Sequence, residues 1–295
     1  MASTTALPAL AYQHVIRRTR AHYENFPVAS RLLPGGLERH IAAVYVFARQ
    51  ADDFADEPEY AGRRLELLAE WEERLLAAAA GRPDSDPAFV ALSHTIRELD
   101  LPVAPFRDLL TAFRRDVTTS RHPDFPELLD YCRYSANPVG RLVLLLVGVR
   151  DAATFALSDA VTTALQLANF WQDVAVDLAK DRIYLPQDDM ARFGVSEDDL
   201  RAGRATPSYR ALLAFEVERT RELFARGWSV ADRVRGRLRL ELRLTCWGGW
   251  TVLDKIAALD FDTLNARPVV SKGGWARLFL RALLDRRPAF PGGTP

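Results

Sequence analysis

Apolar residues recur every three or four positions along most of this chain, which is the spacing of one face of an α-helix. The pattern is clearest from Leu65 to Leu76, where strong helix formers separate the apolar positions. It returns at 106–117, 160–176 and 209–234. Strand-like alternation is scarce, and the Asn-Gly and Asp-Gly signals of β-hairpins are absent. The pattern therefore predicts an all-α fold.

Glycine and proline mark the ends of the predicted helices. The predicted breaks fall at 34–36, 81–83, 122–123, Pro186, Gly203 and Gly273-Gly274. They divide the chain into eight to ten helices. No break is long or polar enough to be a domain linker, and no internal repeat is evident. We therefore expect residues 1–295 to form a single helical domain.

Composition narrows the classes of function. Lys plus Arg equals Asp plus Glu, at 39 each, which argues against a nucleic-acid binder. Cys132 and Cys246 lie outside any CxxC or Cys/His cluster, which argues against a zinc site. The N-terminus lacks the features of a signal peptide, and the apolar run Leu142 to Val149 is too short to cross a bilayer. That run therefore predicts a buried helix. Without a signal peptide or a membrane span, the protein is expected to be cytoplasmic, with at most peripheral contact at the inner face of the membrane.

The first candidate site is an aspartate-rich helix end. Asp52 and Asp56 are four residues apart after an apolar stripe, so both carboxylates project from the same helix face. Like charges so placed destabilise a bare helix, whereas a Mg²⁺ ion prefers such oxygen ligands and adds phosphate oxygens. Arg49 lies on nearly the same face and is placed to donate to those phosphates. An acidic, solvated helix end is the alternative interpretation.

A second polar stripe repeats this arrangement. Asn169, Asp173 and Asp177 follow one another at four-residue intervals, with Gln166 beside them. The other positions of this helix are mostly apolar, which indicates a buried site. Buried carboxylates are costly unless a metal or another cation is present. The stripe therefore predicts a second set of Mg²⁺ ligands.

Basic residues follow the second stripe. Lys180 and Arg182 lie where the helix is predicted to end, with Tyr184 close behind. They fit the neutralisation of a departing diphosphate, and a basic helix C-terminus that complements the helix dipole is the alternative. Together the two motifs predict one site of two facing helices, suited to a Mg²⁺–diphosphate cluster. Metal ions stabilise the negative charge that develops on such a leaving group.

The motifs, in this order, resemble those of the squalene/phytoene synthases. The resemblance rests on Tyr45-x-Phe47-x-Arg49-x-x-Asp52-Asp53-x-x-Asp56-Glu57, then Asn169-x-x-x-Asp173-x-x-x-Asp177, then Arg182-x-Tyr184-x-Pro186. It runs from about residue 12 to about residue 285. It implies the all-α isoprenoid synthase bundle, with the active site in a central cavity.

Finer features resemble one branch, the bacterial hydroxysqualene synthases of hopanoid biosynthesis. The similarity lies in residues 22–30, 135–141 and 169–173. Those enzymes expel pyrophosphate from presqualene diphosphate and quench the cation with water. Where phytoene and squalene synthases usually have Ser-x-Ser-Phe, this chain has Glu24-Asn25-Phe26, which disfavours the first condensation. The resemblance implies a hydroxysqualene synthase with partner enzymes of the hopanoid pathway. Head-to-head condensation of two prenyl diphosphates and a non-catalytic assembly partner are the alternatives.

The resemblance also assigns roles residue by residue. The implied Mg²⁺ ligands are Asp52, Asp56, Asn169, Asp173 and Asp177. The implied substrate-binding residues are Arg49, Gln166, Lys180 and Arg182. The implied catalytic residues are Tyr45, Tyr131 and Tyr184, although a tyrosine at helical spacing also fits a core position.

Aromatic and amphipathic segments suggest how a lipid substrate is handled. The aromatic side chains that fit stabilisation of a cation in a dry cavity, or simple packing, are Phe26, Phe47, Phe170 and Trp171. Near the C-terminus, one helical face is formed by Trp275, Leu278, Phe279, Ala282 and Leu283, with positive charge from Arg277, Arg281, Arg286 and Arg287. This pattern predicts an interfacial helix on anionic lipid. Packing of a terminal helix on the bundle is the alternative.

Overall fold

The structure, a computed structural model, describes residues 6–21, 36–284 and 286–290. The segment 22–30 and its Phe26, which carry part of the family resemblance, lie outside the described residues. Within the described residues the regular structure is helical, apart from an isolated bridge between Arg121 and Ile183. None of the helices in these ranges combines the length and the apolar character needed to span a bilayer.

The helices are numbered in chain order. The first seven are α1 (Ala6–Ala21), α2 (Glu38–Asp56), α3 (Arg64–Ala79), α4 (Pro87–Glu98), α5 (Ala104–Thr118), α6 (Phe125–Ser135) and α7 (Asn137–Leu146). The others are α8 (Ala152–Gln172), α9 (Val174–Ala179), α10 (Gln187–Phe193), α11 (Glu197–Arg201), α12 (Pro207–Gly227), α13 (Gly236–Ala258) and α14 (Lys272–Leu283). Short 3₁₀ helices occupy Pro58–Tyr60 and Trp228–Arg233. The number exceeds the eight to ten expected because short helices fill several predicted connections.

Most predicted breaks fall between helices. Side chains cap the N-termini of some of the helices that follow them. Asp86 accepts a hydrogen bond from the Ala88 N–H at the start of α4, and Thr206 does the same for Tyr209 in α12. The predicted break at Gly273-Gly274 is wrong. Ser271 caps α14 by accepting from the Gly274 N–H, so both glycines lie in the first helical turn.

Contacts along the chain define two compact units. One comprises Met1–Thr118 and Pro138–Asp151, and the other comprises Thr119–Asn137 and Ala152–Pro295. Each unit contains one of the two predicted acidic motifs. The single domain over residues 1–295, the central cavity and the facing of the two motifs stay predictions.

Aromatic rings fill the core of the first unit. Phe47 of α2 is 1% exposed, and its ring lies 5.6–6.3 Å from the rings of Trp71, Phe89 and Phe106. The indole N–H of Trp71 donates to the Phe47 carbonyl oxygen over 3.2 Å. Phe47, a candidate for contact with a cation, therefore packs in this core and joins α2 to α3, α4 and α5. The predicted buried helix is also present, since its four leucines are at most 5% exposed.

The second unit is built around α8, α12 and α13. Trp171 of α8 is fully buried, and its indole N–H donates to the Thr220 hydroxyl of α12 over 2.9 Å. This contact makes Trp171, another candidate for cation contact, a core residue. Gly227 lies where α12 meets α8: a Cβ at this position would stand 2.6 Å from the Leu157 carbonyl oxygen. The two backbones pack so closely only because residue 227 is glycine.

A buried carboxylic acid in α13 makes the stability of the protein depend on pH. Glu241 is 7% exposed, its Oε2 atom has no hydrogen-bond partner among the described residues, and burial raises its pKa to about 7. The folded state therefore keeps a proton that the unfolded chain releases at lower pH, so this stabilisation disappears as pH rises through 7. We compare the free energy of unfolding of Glu241→Gln with that of wild type. We expect this difference to change by on the order of 2–3 kcal/mol in favour of the variant when the pH is raised from 5.5 to 8.5.

Urea denaturation of both proteins at the two pH values measures this gain. Glu70→Gln is the matched control, because the Glu70 side chain is 56% exposed and should show no such change. A constant difference between Glu241→Gln and wild type across this pH range would contradict the prediction.

Candidate active site

The end of α2 carries the first motif, and Arg49 is held there by aspartates. Its guanidinium lies 2.9 Å from Asp52 Oδ2 and 2.7 Å from Asp53 Oδ1. Partial burial would lower the Arg49 pKa, but the two carboxylates outweigh it and raise the pKa. Asp53 was not among the predicted ligands. A single cation thus offsets the charge of two adjacent aspartates before any ligand binds.

The last turn of α2 also presents backbone oxygens. The helix ends at Asp56, and Arg64 donates to the carbonyl oxygens of Asp56 and Glu57 over 3.3 and 3.5 Å.

One turn before Arg49, Tyr45 is half-buried and packs against the apolar cluster of α1, α2 and α4. Burial, followed by the nearby aspartates, raises the Tyr45 pKa, although Arg49 lowers it. Tyr45 therefore combines a core contact with a position beside the motif.

The helix that carries the second motif pauses at Asp173. The expected continuous helix over 160–176 is wrong at this point, because α8 ends at Gln172 and α9 begins at Val174. The helical hydrogen bonds continue across this interruption. The Asp173 N–H donates to the Asn169 carbonyl oxygen, and the Asp177 N–H donates to that of Asp173, each over 2.9 Å. The two carboxylates thus stay one helical turn apart.

The polar stripe is accessible to solvent, which corrects the prediction of a buried site. Asn169 is exposed, and Gln166, Asp173 and Asp177 are half-buried. The carboxylate of Asp173 accepts two hydrogen bonds from Arg267, over 2.5 and 3.1 Å. This bond, followed by the nearby charges of Asp173 and Asp177, raises the Arg267 pKa against the opposing effect of burial. Access to solvent and the pairing of Asp173 with Arg267 thus stabilise the negative charge of these carboxylates, which in a buried site would have required a metal ion.

Arg267 could not be identified from the sequence. It lies 94 residues from Asp173 in the segment between α13 and α14, and no periodicity connects such distant positions. The segment is fixed at the end of α8 by a second bond, from the buried Gln172 side-chain amide to the Pro268 carbonyl oxygen. In the sequence around Arg267, the following residue Pro268 was the only indication that this position is not helical.

Aromatic rings gather beside the second motif. Phe170 of α8 stacks on Tyr184, with ring centroids 3.7 Å apart and planes 7° apart. Tyr131 lies 6.0 Å from Tyr184. His122, which was not among the predicted site residues, lies with its ring centroid 5.5 Å from that of Tyr184, and its Nδ1 is hydrogen-bonded to Glu127. Two of the three predicted catalytic tyrosines are therefore brought together with a predicted cavity aromatic.

The segment after α9 is fixed by backbone bonds that position Tyr184. The Ile183 N–H donates to the Ser120 carbonyl oxygen over 2.9 Å, and the Gln187 N–H donates to that of His122 over 3.0 Å. Ion pairs add to this anchoring. Asp181 lies 2.9 Å from Arg121 and 2.8 Å from Arg201. Tyr184 is thus held on both sides of its position in the chain.

A small cavity connects the second motif to the following basic segment. It has a volume of about 10 Å³, and its lining includes Phe170, Asp177, Arg182 and Tyr184. A space of this size holds one water molecule and no lipid chain. Lys180 is exposed at the end of α9. The cavity therefore places a predicted ligand, a predicted phosphate-binding residue and a predicted catalytic tyrosine around one point.

The donor set of each motif by itself fits Mg²⁺ bound through a substrate. Each motif contributes two carboxylates one helical turn apart, and the described ranges contain no group of three His, Cys, Asp or Glu side chains able to hold a metal. Mg²⁺ is commonly bound by one or two carboxylates, with phosphate oxygens and water completing its octahedron. Paired carboxylates next to Arg49 and Arg182 match that pattern.

Comparison with known proteins shows the family. A model of the squalene/phytoene synthases matches residues 19–274, which include both motifs. The chain belongs to the squalene/phytoene synthase family. Members of this family are enzymes that act on isoprenoid diphosphates. Phytoene synthase from Arthrospira platensis is 30% identical over 304 positions, covering 96% of this chain and 95% of that protein. The 15-cis-phytoene synthase of Synechocystis sp. is 34% identical over 280 positions, covering 88% and 80%.

Solved structures of squalene/phytoene synthases share the fold. Squalene synthase HpnC from Alicyclobacillus acidocaldarius matches with a TM-score of 0.82 and 44% identity, covering 85% of this chain and 94% of that one. A dehydrosqualene synthase solved with a ligand matches with a TM-score of 0.84 and 26% identity, covering 94% and 98%. The predicted all-α isoprenoid synthase fold is confirmed.

Proposed function

We propose that this enzyme converts presqualene diphosphate and water to hydroxysqualene and pyrophosphate in a Mg²⁺-dependent reaction. The observation that carries the proposal is the 44% identity to a squalene synthase, against 30% and 34% to two phytoene synthases. This contrast favours a substrate of the squalene series. The segments 22–30, 135–141 and 169–173, which resemble hydroxysqualene synthases, narrow it to the second step.

The proposed reaction needs no reductant. The bond between carbon and the diphosphate oxygen breaks, and its electron pair leaves with pyrophosphate. The oxygen of water then forms a bond to the rearranged carbocation and loses a proton to the medium. The enzymes of the hopanoid pathway would consume the product, at the inner face of the cytoplasmic membrane where such lipids partition.

The residues of the two motifs divide this work. Asp52, Asp56, Asn169, Asp173 and Asp177 would hold Mg²⁺, which when bound acts as a Lewis acid on the leaving group. Arg49, Gln166, Lys180 and Arg182 would bind the substrate through its diphosphate. Arginine binds such groups in a bidentate manner, with bonds stronger than those of neutral donors. Arg49 and Arg267 supply a counter-charge to the aspartates until the substrate arrives.

The proposed catalytic tyrosines lie at two places. Tyr131 and Tyr184 share a ring cluster with Phe170, whose faces suit a carbocation, and Tyr45 lies one turn before Arg49. A phenol beside a departing diphosphate donates a hydrogen bond to it while its own pKa stays high. This role fits Tyr45, whose pKa burial raises.

A second candidate is the head-to-head condensation of two prenyl diphosphates. The curated relatives named above favour it, because both are phytoene synthases. The two reactions share the metal clamp and differ in the substrate that is ionised first. Products from each substrate separate them.

We expect purified protein with Mg²⁺ to convert presqualene diphosphate to hydroxysqualene in the absence of reductant. Mass spectrometry should show one ¹⁸O atom in the product when the reaction is run in H₂¹⁸O, because water supplies the hydroxyl oxygen. Farnesyl and geranylgeranyl diphosphates, supplied separately, are the comparison substrates. Formation of presqualene diphosphate or phytoene from them, without turnover of presqualene diphosphate, would favour condensation.

The same assay tests the metal. EDTA should abolish turnover, and Mg²⁺ should restore it where Zn²⁺ does not, because the proposed ligands are oxygen atoms. Full activity in EDTA would exclude the metal clamp whichever substrate is used.

A further inference from the structure

The C-terminal helix α14 is held to its unit by a narrow seam. Leu278 and Ala282 are 2% and 0% exposed, and a Cβ at Gly248 of α13 would lie 3.1 Å from the Trp275 ring. The amphipathic face predicted from the sequence is therefore divided. Leu278 and Ala282 pack inward, whereas Trp275, Phe279 and Leu283 remain exposed.

The exposed side of α14 is unusually apolar. The large exposed side chains of α14 and of its C-cap residue Leu284 are Trp275 (38%), Phe279 (39%), Leu280 (59%), Leu283 (52%) and Leu284 (63%). At about 100° per residue they cover roughly half of the helix circumference. Five of the twelve large apolar side chains that are exposed among the described residues lie in these ten positions. Such clustering marks an interaction surface, since single exposed apolar side chains are ordinary.

Positive charge borders this apolar arc. The sequence from 272 to 290 contains five basic residues, Lys272, Arg277, Arg281, Arg286 and Arg287, against the single acid Asp285. Arg287 pairs with Asp232 over 2.7 Å. Among the described carboxylates, none lies within salt-bridge distance of Arg277, Arg281 or Arg286. The whole chain has a net charge of zero, so this local excess is a feature of the surface and not of the composition.

An open groove of about 600 Å³ lies next to α14 in the same unit. Its lining includes the rings of Trp247, Trp250 and Phe290 and the side chains of Arg281 and Arg286. Two acids, Glu218 and Asp254, also line it, and both pair with Arg221, over 3.5 and 2.9 Å. Arg281 belongs to α14 and lies 4.9 Å from the Trp247 ring centroid, so the groove borders the helix directly. Guanidinium groups over an aromatic floor suit a ligand with an anionic group and an apolar chain.

We propose that the exposed arc of α14 and the arginine-lined groove beside it form a docking surface for an anionic membrane. The arc would enter the boundary between headgroups and acyl chains, as interfacial helices do. Arg277, Arg281 and Arg286 would contact lipid phosphates. The seam of Leu278 and Ala282 keeps the helix attached to its unit meanwhile.

Charge favours lipid over a second copy of this chain. A two-fold symmetric dimer places the same surface of both subunits face to face. It would set the arginines of one copy against those of the other, and such like-charge juxtaposition opposes association. An anionic bilayer has the opposite sign, and it also receives the leucines at the exposed end of α14.

The test is flotation of full-length protein with vesicles of phosphatidylcholine alone or mixed with phosphatidylglycerol. We expect binding to the anionic vesicles at low salt, and a clear loss at high salt because the exposed charges are screened. Leu280→Glu with Leu283→Glu should lower the bound fraction at least about fivefold, since charge at the apolar boundary opposes insertion. Leu65→Glu with Leu76→Glu, at positions that are 47% and 46% exposed in α3, should bind like wild type.

A charge-removing pair tests the basic border of the surface. Arg277→Gln with Arg281→Gln should weaken binding to anionic vesicles severalfold. Arg82→Gln with Arg97→Gln, which removes the same charge from exposed positions in the other unit, should not. Circular dichroism verifies folding, so that the charge pair remains decisive if the glutamate pair unfolds.

Two outcomes would overturn the proposal. One is absence of vesicle binding by wild type at low salt. The other is unchanged vesicle binding by both altered pairs, together with a dimer in sedimentation velocity that Leu280→Glu with Leu283→Glu converts to monomer. The second outcome would make the arc a contact between copies. Neither outcome depends on turnover, so the proposed reaction stands or falls separately.

Discussion

Asp52→Ala and Asp173→Ala should each lower turnover by at least about a hundredfold and leave the protein folded. Each change removes a carboxylate proposed to bind Mg²⁺, and with it stabilisation of the charge that develops on the leaving diphosphate. Initial rates at saturating substrate and Mg²⁺ measure the effect. Because the rates are compared at saturating Mg²⁺, the loss reports the missing ligand and not a smaller occupancy of the metal site.

The partners of the two aspartates explain why the fold should survive. Asp52 and Asp173 pair with Arg49 and Arg267, whose side chains are 34% and 52% exposed, and such pairs add at most about 1 kcal/mol to stability. Asp84→Ala is the matched control, because it removes an aspartate 44% exposed and paired with Arg74 over 2.6 Å. Near-normal turnover in a folded Asp173→Ala or Asp52→Ala protein would show that the carboxylates lie outside the active site.

The helical fold could be predicted because its signals are local. The segment Leu65 to Leu76 lies within α3, and the predicted helix at 106–117 lies within α5. Phe47 and Trp171 show the limit of such patterns. A motif position and a core position have the same spacing on a helix, and only tertiary contacts show that both rings are in the core.

The candidate site could be predicted only within each motif. Four-residue spacing fixed which carboxylates share a helix face, and it survived even the pause at Asp173. The partners of those carboxylates could not be predicted, because Arg267 reaches Asp173 across 94 residues and His122 joins Tyr184 through backbone bonds of two irregular segments. Irregular segments have no periodicity from which their contacts can be inferred.

The degree of burial of the second motif could not be predicted from the sequence either. An apolar helix with one polar stripe has the same pattern whether the stripe faces solvent or a sealed cavity. Asn169 is exposed in the structure, and Asp173 is compensated by an arginine. A site that must admit a charged diphosphate needs such access, so the prediction of a buried stripe failed for a reason connected with the proposed function.

Gly227→Ala should destabilise the protein by about 3 kcal/mol, near the upper end of the usual cost of overpacking. Its Cβ would lie 2.6 Å from the Leu157 carbonyl oxygen, 2.7 Å from Val161 Cγ2 and 2.9 Å from the Val161 nitrogen. Two of these atoms belong to the α8 backbone, so no side-chain rotation relieves the contact. The whole of α12 must move away from α8, at the cost of contacts such as that of Trp171 with Thr220. Urea denaturation with a constant m-value measures the loss.

Gly273→Ala provides the control, because it makes the same chemical change in the first turn of α14, where a Cβ would have no atom of the described residues within 4 Å. Alanine is the better helix former, so this variant should gain up to about 1 kcal/mol. Opposite signs for the two variants would show that packing against α8, and not loss of backbone freedom, makes residue 227 glycine. Equal and small effects would mean that α8 yields easily, and a yielding α8 would hold Asn169 and Asp173 too loosely for the proposed metal clamp.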